Sequence, residues 1–140
     1  MNFGFSEEQR DVQNLARQIF TDLVSPETLK ASDDYAAERF DEALWGKLAE
    51  AGLLGVAIDE AYGGMGFGFM ELGLLVEEVG RSIAPAPVIP ALVSGALPIQ
   101  KFGSDEQKQR LLPGVVSGKT LLTAALMEKF NENPASPKLT

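Results

Sequence analysis

The stretch Ala51–Arg81, AGLLGVAIDEAYGGMGFGFMELGLLVEEVGR, constrains what this chain can fold into more than any other. The apolar-periodic residues Phe40, Leu44 and Leu48 run into Gly52, where a left-handed glycine is expected to end a helix. Leu53 to Ile58 is a short apolar run, expected to be extended. Tyr62-Gly63-Gly64-Met65-Gly66-Phe67-Gly68 then places four glycines in six residues. Glycines so dense admit positive φ and close approach of the backbone to another group. A tight turn alone is enough to require them. Phe69 to Val79 carries Met70, Leu72, Leu74, Leu75, Val76 and Val79, so the helix after the turn is expected to be buried on every side.

The flanks read as helices too. Ser6-Glu7-Glu8-Gln9 is a capping-box pattern. Val12, Leu15, Ala16, Ile19, Phe20 and Leu23 recur at steps of three and four, which predicts one amphipathic helix over 6–23. Ser25-Pro26 ends it, and Glu27–Asp34 is a short polar turn or helix. Asp41 is placed to cap a second helix over 41–51, with Phe40 and Trp45 as packing residues. Prolines 85, 87 and 90 exclude a regular helix before about Pro90. Helices are expected near 90–97 and, from a second box at Ser104-Asp105-Glu106-Gln107, over 105–112, with Pro113 bending or interrupting the chain. Thr120–Leu126 is β-leaning but has no evident strand to pair with.

Composition matters mainly for what it removes. A net charge of −8 opposes nonspecific nucleic-acid or anionic-membrane binding. The chain has no Cys and no His, which excludes thiol and histidine catalysis and the usual transition-metal ligands. Met1–Arg10 carries no signal-peptide pattern, and Val88–Ile99 is too short to span a bilayer. The expected location is the cytoplasm. Gly114 to Thr120 imitates a P-loop, but only three residues separate the glycines, and the helix precedes where it should follow. The glycines of 63–68 do not match the dinucleotide-binding pattern either. Adjacent Glu77 and Glu78 point about 100° apart on a helix. They suit salt bridges, solvent or an interhelix bond better than a paired-carboxylate site.

Several motifs in order resemble the N-terminal helical domain of the acyl-CoA dehydrogenases. They are the Phe5-Ser6-Glu7-Glu8-Gln9 entry, Gly52-Leu53-Leu54, Tyr62-Gly63-Gly64-Met65-Gly66 and Glu77-Glu78. Phe102-Gly103-Ser104-Asp105-Glu106-Gln107, Leu111-Leu112-Pro113-Gly114 and Gly118-Lys119 continue the series. The resemblance implies an all-α bundle over 1–118, with 119–140 beginning a β middle domain, Thr123–Glu128 being similar to that domain's first strand. It implies FAD as cofactor and an acyl-CoA thioester as substrate, from which a proton and a hydride are removed to leave an α,β double bond. A homo- or hetero-tetramer and an electron-transfer flavoprotein as electron acceptor are implied as partners. The family's catalytic carboxylate lies in a C-terminal domain, so no catalytic residue is assigned here and these 140 residues alone are expected to be inactive.

Carried over position by position, the acyl-pocket wall is Pro87, Val88, Ala91, Leu92 and Gly95. The flavin-facing strand end is Leu126, Met127 and Glu128. Where the family has Thr-Glu-Pro-Gly, this chain has Met127-Glu128-Lys129-Phe130, so a hydroxyl donor and the turn-forming Pro-Gly are replaced. Small residues through Ala84–Gly95 suit a branched or ring-bearing acyl group; prolines that merely set a helix boundary are the competing reading. Two other functions stay open: a noncatalytic subunit beside a flavin-bearing relative, and a free-standing helical interaction module. The fold expectation is checked by far-UV circular dichroism, which should be dominated by helix; a mainly β spectrum would refute it.

Overall fold

The structure is a computed structural model that describes residues 4–32, 40–125, 133, 135, 136 and 138. Leu126, Met127 and Glu128 lie outside them. Six α-helices are described: α1 Glu7–Leu23, α2 Pro26–Ser32, α3 Glu42–Glu50, α4 Phe69–Ser82, α5 Leu97–Phe102 and α6 Asp105–Val116. A π-helix, Ile89–Ala96, runs directly into α5. The all-α class therefore holds among the described residues.

The caps form where the side chains predict them. Gln9 N–H donates to Ser6 Oγ at 3.2 Å and Ser6 N–H to Gln9 Oε1 at 3.0 Å. The Ser104–Gln107 box repeats this, and Asp41 Oδ1 accepts from Leu44 N–H at 2.9 Å. Gly52 takes φ 75°, the expected left-handed helix end. Trp45 is buried, meets Phe40 edge-on at 6.0 Å between ring centroids, and donates its indole N–H to Gly118 O at 3.1 Å.

The core is one cluster built from Val12, Ala16 and Phe20 of α1, Leu44, Trp45 and Leu48 of α3, and Leu53–Ile58. Leu72 and Leu75 of α4, Val88–Ala96 in part, and Leu112 and Val115 of α6 complete it. Phe20 is wholly enclosed; a side chain of that size contributes about 1.5–3 kcal/mol on burial.

Four expectations change. Leu53–Ile58 is not extended: Leu53–Gly55 is a 3₁₀ turn. Its carbonyls are then taken up by the glycine loop folding back, through Met65 N to Gly55 O (2.9 Å), Gly66 N to Ile58 O (2.9 Å) and Phe67 N to Val56 O (3.0 Å). α4 is not buried all round, since Phe69 and Met70 at its start are 69% and 56% exposed. Pro113 does not stop α6, which continues to Val116; only the bond a Pro113 N–H would have made is lost. Residues 120–125 form no strand, because a strand needs a partner and none lies beside them among the described residues.

Gly64 is the tightest point of the loop. A Cβ there would overlap the Ile58 carbonyl oxygen and lie 2.8 Å from Gly55 O. Gly64→Ala should lower stability by about 1–3 kcal/mol through forced backbone shift. An unchanged urea midpoint would show the loop to be more yielding than its packing indicates.

Candidate functional site

The residues carried over as an acyl-pocket wall all fall on the turn before the π-helix or on the helix itself. Val88, Ala91, Leu92 and Gly95 are buried, and Pro87 is half-buried. The side chains of Val88, Ala91 and Leu92 belong to the domain core, and the outer side of the element carries exposed Ile89 and Pro90 with half-buried Val93 and Ser94. The π-register, with Leu97 N–H donating to Leu92 O, was not legible from the sequence. Over eight residues an apolar pattern cannot separate 3.6 from a wider period. The prolines at 90 and 98, each lacking a donor, frame the segment. Such wide turns concentrate at functional sites. Ile83, just before the proline stretch, is 73% exposed and holds φ 54°, a left-handed conformation that is unfavourable for a β-branched residue.

After α6 the chain turns at Gly118 (φ 73°) and crosses the domain. Thr120 N–H donates to Gly114 O at 2.9 Å, and Leu122 packs on the core. This crossing segment leads toward Leu126–Glu128. Beside it, Phe40, Trp45, Gly46, Gly118 and Leu121 line a groove of about 420 Å³. A second, mostly apolar groove of about 260 Å³ lies between α1 and the glycine loop, where Leu15 and Phe67 face solvent near Glu8 and Asp11. The glycine loop itself is used internally, as its hydrogen bonds to residues 55–58 account for its turns.

The carboxylates separate by role. Glu78 is completely buried, and both its oxygens are taken: Arg17 Nη2 reaches Oε1 at 2.7 Å and Arg81 Nε reaches Oε2 at 2.6 Å. Arg17 holds the Glu78 carboxyl below its ordinary value, against the burial that pushes it up, and Arg81 adds to the lowering. Glu77 is exposed and accepts from Gln13 Nε2 at 3.5 Å. Glu78 thus joins an ion cluster between α1 and α4 while its neighbour Glu77 faces solvent, a division of the pair between salt bridge and solvent. Glu71 accepts from Gly68 N–H at 2.8 Å to cap α4 and from Gln9 Nε2 at 3.0 Å, and the Gln9 amide is the larger cause of its lowered pKa. Sequence reasoning missed the partners Gln9 and Arg17, as well as Gln100. The Gln100 amide holds the loop through Asp59 N–H (2.9 Å) and Ala57 O (3.0 Å). Only Gln9 carried a signal, through its capping box.

Among the described residues no three His, Cys, Asp or Glu side chains gather as a metal site, and no helix is long and apolar enough to cross a membrane. A capped first helix, a folded-back glycine loop and a segment laid across the helices define an all-α domain among the described residues. Residues 6–119 match the sequence profile of the acyl-CoA dehydrogenase N-terminal domain, and the chain belongs to that family. It is similar to acyl-CoA dehydrogenase FadE27 of Mycobacterium tuberculosis, at 34% identity over 96% of this chain and 36% of the relative. The Tcur3481-Tcur3483 steroid ACAD, solved as a point variant, superposes with a TM-score of 0.85 at 50% identity, over 94% of this chain and 36% of that one. The ChsE4-ChsE5 complex from Mycobacterium tuberculosis gives a TM-score of 0.86 at 34% identity, over 95% and 36%. The chain thus spans about a third of the length of the relatives it matches.

A carboxyl whose folded pKa is lowered contributes stability above its unfolded value, near 4.5, and loses it as pH falls through the folded value. The unfolding temperature should therefore fall as pH drops below about 4.5, and Glu78→Gln should flatten that acid limb while costing about 1–3 kcal/mol at neutral pH. Replacing Arg17 and Arg81 together should cost more, because it strands a buried charge, whereas the half-exposed arginines left by Glu78→Gln reach water. An acid limb identical in Glu78→Gln and wild type would refute the assignment.

Proposed function

We propose that this chain is the N-terminal helical part of an FAD-dependent acyl-CoA dehydrogenase that introduces an α,β double bond into a bulky, ring-bearing acyl-CoA. The observation that carries the reading is the 50% identity to a steroid ACAD over 94% of this chain, against 34% to FadE27. The wide π-helix, with half-buried Ser94 on its outer side, supports a roomy acyl site. The flavin, when bound, accepts the hydride. In this reading the chain's own part is to hold the π-helix as one wall, with Pro87, Val88, Ala91, Leu92 and Gly95 setting its depth from behind. The chain would also deliver Leu126, Met127 and Glu128 to the flavin. The assembly we infer is a homo- or hetero-tetramer in the cytoplasm, with an electron-transfer flavoprotein as acceptor.

A second reading is favoured by a specific observation. Met127, Lys129 and Phe130 depart from the family's Thr-Glu-Pro-Gly, and one of the similar structures is a complex of two differently named proteins. In that case this chain is the structural member of a pair, and a flavin-bearing relative supplies the cofactor.

One experiment separates them. The full-length protein is purified alone and with a co-expressed relative, its flavin is titrated, and kcat/KM is compared for a ring-bearing and a straight-chain acyl-CoA. Stoichiometric flavin in the protein alone supports the enzyme, and flavin only in the pair supports the structural subunit. A preference of at least tenfold for the ring-bearing substrate is expected. Preference for the straight chain would overturn the substrate assignment.

A further inference from the structure

We propose that Gly95 and Gly114 are two notches that seat residues 118–122 on the helical domain, and that this seating fixes where the chain departs toward Leu126 relative to the π-helix. The flavin consequence drawn below rests on the reading just given; the seating itself does not.

Neither glycine is there for its torsion angles, since neither has positive φ. Both are there for space. A Cβ at Gly95 would lie 2.5 Å from Leu122 Cβ and 3.1 Å from its backbone carbon. A Cβ at Gly114 would overlap Thr120 Oγ1 and stand 3.0 Å from Thr120 Cβ. Helical glycines elsewhere provide the contrast, because Gly46, Gly73 and Gly80 have nothing within 4 Å of such an atom. Glycine inside a helix is unfavourable relative to alanine, so its presence under a crossing chain marks close backbone approach.

Polar contacts fix the same register. Trp45 donates to Gly118 O at 3.1 Å and Thr120 N–H to Gly114 O at 2.9 Å. The segment is therefore held at Gly118 by α3, at Thr120 by α6 and at Leu122 by the π-helix. Leu126 lies four residues past Leu122, at most about 14 Å of extended chain. A lift at Leu122 therefore moves the point from which the chain continues toward Leu126. Gly95, carried over as an acyl-wall residue, thereby becomes a positioning residue for the opposite side of the site.

The test uses the full-length protein. Gly95→Ala, Gly114→Ala, Leu122→Gly, the pair Gly95→Ala/Leu122→Gly and the control Gly73→Ala are compared by amide exchange at Thr120 and by flavin affinity. Gly95→Ala should speed exchange at Thr120 at least tenfold and weaken flavin binding about tenfold, while Gly73→Ala changes neither. In the Leu122→Gly background, adding Gly95→Ala should change both less than threefold, because the severe 2.5 Å contact with Leu122 Cβ is gone and only the milder backbone contact at 3.1 Å remains. Should Gly95→Ala fail to fold, Gly114→Ala, which meets a rotatable hydroxyl, takes its place with the same expectation for exchange. Unchanged Thr120 exchange in Gly95→Ala, or an equal effect in both Leu122 backgrounds, overturns the seating. Exchange that moves as expected in a protein that takes up no flavin keeps the seating and sinks the flavoenzyme reading instead.

Discussion

A carboxylate without access to water has to be matched where it stands, and Glu78 is matched from both sides of a helix pair. Arg17 comes from α1 and Arg81 from the next turn of α4. An isolated charge in that place would be far more costly than any single packing contact is favourable. The cluster therefore sets the register of α1 against α4. Gln9 to Glu71 and Gln13 to Glu77 follow in the same order along both helices. Behind these polar rungs Val12, Ala16 and Phe20 form the buried stripe. Removing either kind of partner is costly because it leaves the opposite charge unmatched.

With α1 and α4 aligned, the glycine loop between α3 and α4 has little freedom left. Its amides return to the carbonyls of residues 55–58, and Gln100 reaches from α5 to hold the next two backbone groups. A loop with this many internal partners acts as a brace for the core. Elsewhere on the domain the π-helix and the crossing segment meet, Gly95 against Leu122.

The π-helix presents a wide, small-residue backbone, and the crossing segment leads out beside it. Glu78 and Glu71, the two best-held carboxylates, are both consumed by structure.

Local chemistry determined a good part of this. The two capping boxes, the Asp41 cap, the left-handed Gly52 and the helices they bound depend on residues three or four apart, so they are legible in the sequence. The family's motifs are legible for the same reason, being short runs in order. Contacts between distant positions were not. The Arg17–Glu78 bond spans 61 residues and the Gln100 clamp 41 and 43, and nothing local marks either partner. The folding back of Leu53–Ile58, the exposure of Phe69 and Met70, and the burial of Ala91 and Gly95 depend likewise on which surface another element happens to cover. A residue's neighbours along the chain decide its backbone preference. Only the packed structure decides what stands opposite its side chain, and for Gly95 that is Leu122.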